Sequence, residues 1–173
     1  MASERLYMIA NSSRATTAAP VKQPTGTAIR TMLQFATPTT DGIKLVEWGC
    51  SFDGSSSATP IQVELFNCTG AATMSTASVA ADAMRLSAPL GTETVPMQVG
   101  TTSLTGFATA AVTEGTVANY NMWDLQLVAP TSQYVKQFPL GREPEAALST
   151  FVRIRVTAGA SVNMYCYLVF GTC

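Results

Sequence analysis

Glu47, Asp53 and Glu64 are the residues of this 173-residue chain best placed for chemistry. They lie on consecutive strand-like runs or at their ends. Two carboxyl groups brought together can divide acid and base work, as in glycoside hydrolysis. The plainer reading is stronger: Glu47 and Glu64 have parity opposite to their apolar neighbours, as solvent-facing side chains of half-buried strands do. Histidine is absent. That removes Ser-His-Asp and Cys-His catalysis, the commonest general base and most transition-metal sites. The expectation is a protein that is not an enzyme, with no catalytic residue, cofactor or metal.

The remaining chemical motifs are weak. Asp41-Gly42 and Asp53-Gly54-Ser55 offer oxygens to calcium, but that ion needs about 6–8 ligands and Asp-Gly pairs form turns. Gly100 to Gly106 lacks the lysine and glycine spacing of a phosphate loop. Asn67-Cys68-Thr69 fits a glycosylation sequon, without a secretion signal to bring it to that machinery. Cys50, Cys68, Cys166 and Cys173 match no C-x-x-C pattern. Buried thiols are expected at the first three and an exposed one at Cys173, with a disulfide as the alternative. Trp48, Trp123, Tyr7, Tyr120 and Tyr134 suit stacking on sugars, although Trp48 has the parity of a core residue.

The elements that would carry these residues are strands. Val46, Trp48, Cys50 and Phe52 share one parity in Ile43–Asp53, as do Ile61, Val63 and Leu65 in the next run. Period two returns side chains to one face of a strand. Further strands are expected over Leu6–Ala10, Ala28–Phe35, Leu104–Thr113, Met122–Val128 and Tyr134–Leu140, with Trp123, Leu125 and Leu127 on one face. Phe151–Val156 and Val162–Phe170 read as a closing antiparallel hairpin, half-buried at Arg153 and Arg155, whose side chains take its solvent or partner side. Ser78–Leu86 has the composition of one short helix. About eight short strands with turn signals between them predict an all-β antiparallel β-sandwich of jelly-roll type, with an immunoglobulin-like sandwich as runner-up. Residues 1–27 are expected to form a strand and an extended N-terminal arm, and 28–173 a single domain.

Composition narrows the partners. Charged residues are only 12% of the chain and net charge is −1, so nothing supports electrostatic capture of nucleic acid. No run approaches the roughly 20 apolar residues of a membrane span. The N-terminus has no signal-peptide core, so the protein is expected to be made and kept soluble in the cytoplasm. Abundant Ser, Thr and Ala suit a surface partly hidden against neighbours.

Phe138-Pro139-Leu140-Gly141-Arg142-Glu143-Pro144-Glu145, followed by the Phe151–Val156 and Val162–Tyr165 runs, resembles the head decoration or minor capsid proteins of tailed bacteriophages. The resemblance covers about the last forty residues. It implies a virion protein on the capsid surface, assembled in the host cytoplasm as a homotrimer, that clamps neighbouring major capsid subunits and stabilises the shell. Candidate partner contacts are Arg5, Tyr7, Arg14, Trp123, Arg142, Glu143 and Glu145. A carbohydrate- or receptor-binding module of a phage tail or surface fibre is the alternative.

Overall fold

A computed structural model describes residues 5–14, 17–86 and 94–173; the first four residues of the expected arm, and two within it, lie outside them. In chain order the early strands are β1 (Leu6–Ala10), β2 (Gln23–Pro24), β3 (Arg30–Ala36), β4 (Ile43–Asp53), β5 (Ile61–Cys68), β6 (Thr76–Ala77) and β7 (Met84–Arg85). Then come β8 (Gly106–Phe107), β9 (Asn121–Val128), β10 (Gln133–Gln137), β11 (Glu145–Ala146), β12 (Phe151–Thr157) and β13 (Asn163–Thr172). Eight of these strands have five residues or more. They form two antiparallel sheets, ordered β10-β4-β13-β1-β7 and β6-β8-β3-β12-β5-β9, with β11 beside β4 and β2 beside β13. The fold is an all-β sandwich.

Alternation in the sequence places the core between the sheets. Leu45, Trp48, Cys50, Met164, Cys166, Leu168 and Phe170 of the first sheet are buried, as are Leu33, Phe35, Val63, Leu65, Val152 and Ile154 of the second. Phe35 of β3 meets Phe170 of β13 with ring centroids 4.4 Å apart, and Tyr7 stacks on the same Phe170.

The expected closing hairpin is not formed. β12 pairs with β3 and β5, whereas β13 pairs with β4, β1 and β2 in the opposite sheet. The connector after Thr157 therefore crosses the sandwich. Ala158 and Val162 are buried at its two ends, which a surface turn would not require.

Two lines of the first sheet, those beside β13 and β4, are each interrupted by a looped-out insertion. β1 and β2 both run antiparallel to β13, and the chain leaves that line after Asn11 and rejoins it at Gln23. Asn11 spans the gap, its side chain donating to Met164 O and accepting from Cys166 N–H. The expected arm is thus stitched along β13 at Leu6–Asn11 and again from Gln23. β10 and β11 likewise follow β4 in turn, with the Phe138–Pro144 stretch between them.

The described parts of the alanine- and threonine-rich stretch, residues 69–86 and 94–119, add β6 and β8 beyond β3 and also fold over the outer face of the second sheet. The expected helix over Ser78–Leu86 is a single 3-10 turn at Ala80–Asp82 followed by β7. The expected Leu104–Thr113 strand shortens to Gly106–Phe107. Gln34 fastens this cover, donating to Ala72 O and Leu104 O and accepting from Ala72 N–H. Gly70 passes so close to the Thr116 carbonyl that a Cβ would collide with it. Beneath the cover lies Arg153, fully buried rather than on a solvent or partner face. Its guanidinium bonds Thr31 Oγ1 and the carboxylate of Glu114, which also accepts from Thr31 N–H. A charge taken out of water persists only when paired in this way.

Candidate interaction surface

The three catalytic candidates are separated by the fold. Glu47 and Asp53 are six positions apart on β4, about 20 Å along a strand. Glu64 stands on β5, in the other sheet. Each has its own partner: Glu47 accepts from Tyr167 Oη at 2.6 Å, Asp53 pairs with Lys22, and Glu64 pairs with Arg155 at 2.6 Å. Glu64 is buried, contrary to the solvent-facing expectation, because Arg155 and the rings of Phe66 and Tyr120 enclose that face. Two carboxyl groups roughly 5–9.5 Å apart across one sugar are not available from these residues. Among the described residues no group of three His, Cys, Asp or Glu side chains could hold a metal. No helix of the described residues is long and apolar enough to cross a membrane.

A carboxylate with several donors is one that alternation assigns to the outside. β9 presents Asp124 and Val128 inward, while Leu125 and Leu127 face out and Trp123 is half-buried. A register shift between Leu65 and Phe66 leaves Trp123 as the extra residue. Asp124 accepts from Trp48 Nε1 at 3.1 Å, Tyr134 Oη at 3.0 Å, Gln126 Nε2 at 2.9 Å and Leu125 N–H at 3.0 Å. Lys136 Nζ lies 3.2 Å away. Tyr134 and Lys136 belong to β10, so this carboxylate ties an edge strand of one sheet to an edge strand of the other.

Burial pushes the Asp124 carboxyl up, but hydrogen bonds from Gln126, Tyr134 and Lys136 outweigh it and hold the group below its ordinary value of 3.8. Burial, then the bond to Asp124, pushes Tyr134 up to about 12. The stabilisation from Asp124 is therefore present above its unfolded pKa and is lost as pH falls through the depressed folded value. Asp124→Asn is expected to cost about 1–3 kcal/mol at neutral pH and to remove part of the stability loss below pH 4. Urea unfolding across pH 2–7 measures both effects.

Several apolar side chains stay exposed near this seam. Leu125 and Leu127 on β9 and Val135 on β10 flank the Asp124 seam. Leu140, at 90% exposure, stands clear of the body. It occupies the tip of Pro139-Leu140-Gly141-Arg142, where Arg142 N–H donates to Pro139 O at 2.9 Å. Gly141 has φ 79°, the left-handed conformation that the third position of a type II turn requires and glycine adopts freely. Glu143 Oε2 accepts from Gly141 N–H at 2.6 Å and lies 3.6 Å from Lys44 Nζ. Bonds from its own N–H and that of Gly141, with Lys44 close by, hold the Glu143 carboxyl below its usual range. The flanking chain is anchored too, through Phe138 N–H to Val46 O and Leu45 N–H to Pro144 O. Leu140 is a presented side chain on a braced turn.

The sequence-derived contacts separate accordingly. Arg142, Glu143 and Glu145 belong to the Leu140 turn or the short strand after it. Glu145 also lines a depression of ≈ 510 Å³ with Asp41 and Cys173. Arg5 and Arg14 are exposed, the backbone N–H of Arg14 held by Asp82 at 2.8 Å. Tyr7 is buried against Phe170 and leaves almost no surface for a partner. Trp123 packs partly on the core. Leu140 was missed, although Pro-x-Gly around a lone leucine is a legible signal of a turn that lifts its second residue into solvent.

No family model matches this chain, and no curated protein or solved structure shows significant similarity to it.

Proposed function

We propose that this protein is a structural virion protein that decorates and stabilises a bacteriophage capsid by clamping neighbouring major capsid subunits. The observation that carries the reading is the braced Leu140 turn, which lies within the Phe138–Glu145 run of the capsid-protein resemblance. A leucine held at 90% exposure by a glycine turn and a carboxylate brace has little backbone freedom left to lose on binding. A side chain buried at the centre of an interface can carry a large share of its energy, and a braced turn lowers the cost of ordering it.

The rest of the molecule suits the role. The body is a two-sheet sandwich with a continuous core, and its candidate carboxylates are engaged in structural pairs. The order of the eight long strands supports reading the sandwich as a jelly roll. In a homotrimer on a symmetric shell, the same modest contact repeats many times, and linked weak contacts add to avidity.

Two observations on assembled particles test the proposal. The protein is expected in purified particles at a fixed ratio to the major shell subunit. Particles lacking it should lose resistance to heat or low salt. Recovery only from free cell extract, or a glycan-array hit abolished by Trp123→Ala, would overturn the capsid reading.

A further inference from the structure

Cys50 and Cys166 are direct cross-strand neighbours on the two adjacent central strands of the first sheet, β4 and β13. Both are buried, at 3% and 1% exposure, and both are free thiols. The type of pair they form follows from where their backbone groups go. Cys166 N–H donates to Asn11 Oδ1 at 2.9 Å, and Cys166 O accepts from Asn11 N–H at 3.0 Å. Its main chain is thus committed to the β1 side. On the other flank, Phe52 N–H donates to Ser132 O and Phe138 N–H donates to Val46 O. By alternation the even-numbered residues of β4, Cys50 among them, bond toward β10. Cys50 and Cys166 therefore face each other at a non-hydrogen-bonded position of the ladder.

That position brings opposed Cα atoms to about 4.5 Å, with the side chains at their closest. A disulfide spans Cα separations of about 4.4–6.8 Å. We propose that Cys50 and Cys166 form an intramolecular redox clip, open as two thiols under reducing conditions and closed as a cross-strand disulfide by a small-molecule disulfide. In the first step one thiol loses its proton and attacks the oxidant, releasing one small thiol and leaving a mixed disulfide. The second protein thiol then displaces the other small thiol. Two protein thiols and one small disulfide give one protein disulfide and two small thiols, so two electrons pass to the oxidant.

Burial sets the timing. It raises the Cys50 thiol to about 12 and the Cys166 thiol well above its ordinary value, so neither reacts while the sandwich stays closed. Access to Cys50 comes through β10, a five-residue edge strand whose Tyr134 is its partner on that side. Once closed, the bond is shielded from reductants by the same burial. It joins residues far apart in sequence, where a cross-link most restricts the unfolded chain. The inference does not rest on the proposed function.

The test uses the full chain as Cys173→Ser, which removes the exposed thiol. Protein prepared reduced is incubated with oxidised glutathione, unfolded in acid, digested without reductant and mapped by mass spectrometry. The expected result is a linked pair of peptides carrying Cys50 and Cys166. The accompanying rise in Tm, about 5–15 °C, should be reversed by reduction after unfolding. It should be absent in Cys50→Ala and Cys166→Ala, each compared with its own reduced form. If both thiols stay alkylatable after denaturation, if Cys68 is the linked residue, or if the link forms without raising Tm, the clip is refuted.

Discussion

Glu114→Ala should destabilise the protein by about 3–5 kcal/mol, the cost of leaving a buried charge without its partner. Glu114 is the carboxylate that neutralises Arg153, whose side chain is wholly enclosed between the second sheet and its cover. The same carboxylate accepts the main-chain N–H and the hydroxyl of Thr31, so its loss leaves those two donors short of an acceptor as well as the Arg153 charge without its counter-ion. Arg153→Met in the Glu114→Ala background should recover much of the deficit, because a buried apolar side chain of similar volume needs no partner. Urea unfolding of the four proteins of this cycle gives the coupling energy directly. Hydrogen exchange should show Gly70 to Thr73 and Thr113 to Thr116, the two stretches that close over Arg153, losing protection in Glu114→Ala. A change below about 0.5 kcal/mol, the level of an ordinary surface substitution, would mean that Arg153 finds water or another acceptor.

The second large effect concerns binding. Leu140→Asp should leave Tm within about 2 °C of the parent, since the side chain touches little of its own protein. It should lower affinity for the assembled shell by about 30-fold or more, the loss on removing an interface anchor. Gly141→Val should weaken binding as well while leaving Leu140 present, because a β-branched residue cannot readily hold the positive φ that presents it. Equal affinity of all three proteins would place the contact elsewhere on the molecule.

Much of this architecture was legible in period-two alternation. The strands over Ile43–Asp53, Ile61–Cys68, Phe151–Thr157 and Asn163–Thr172 all announce themselves by apolar residues at every second position. Alternation says which residues share a face but not which sheet receives the strand. The last two strands thus read as a hairpin although they lie in opposite sheets. Nothing in the sequence marks their connector as passing between sheets; the burial of Ala158 and Val162 is a property of the fold.

The inversion at β9 has a different cause. Trp123, Leu125 and Leu127 look like a core face until Trp48, Tyr134 and Lys136 arrive from other strands to receive Asp124. Arg153 follows the same rule, its partner Glu114 being distant in sequence and carried by a stretch with no clear period. Polar burial is decided by partners that only the fold supplies. The site was half legible: Arg142, Glu143 and Glu145 marked the turn, while the apolar residue that it displays went unnoticed.

Sedimentation with assembled particles decides whether this protein binds a shell through Leu140. Shells prepared without this protein are mixed with the wild-type chain or with Leu140→Asp and separated on a density gradient. Wild type is expected to sediment with the shell at a saturating, fixed ratio, while Leu140→Asp stays near the top of the gradient. Wild-type protein that remains unbound across a titration would contradict this expectation.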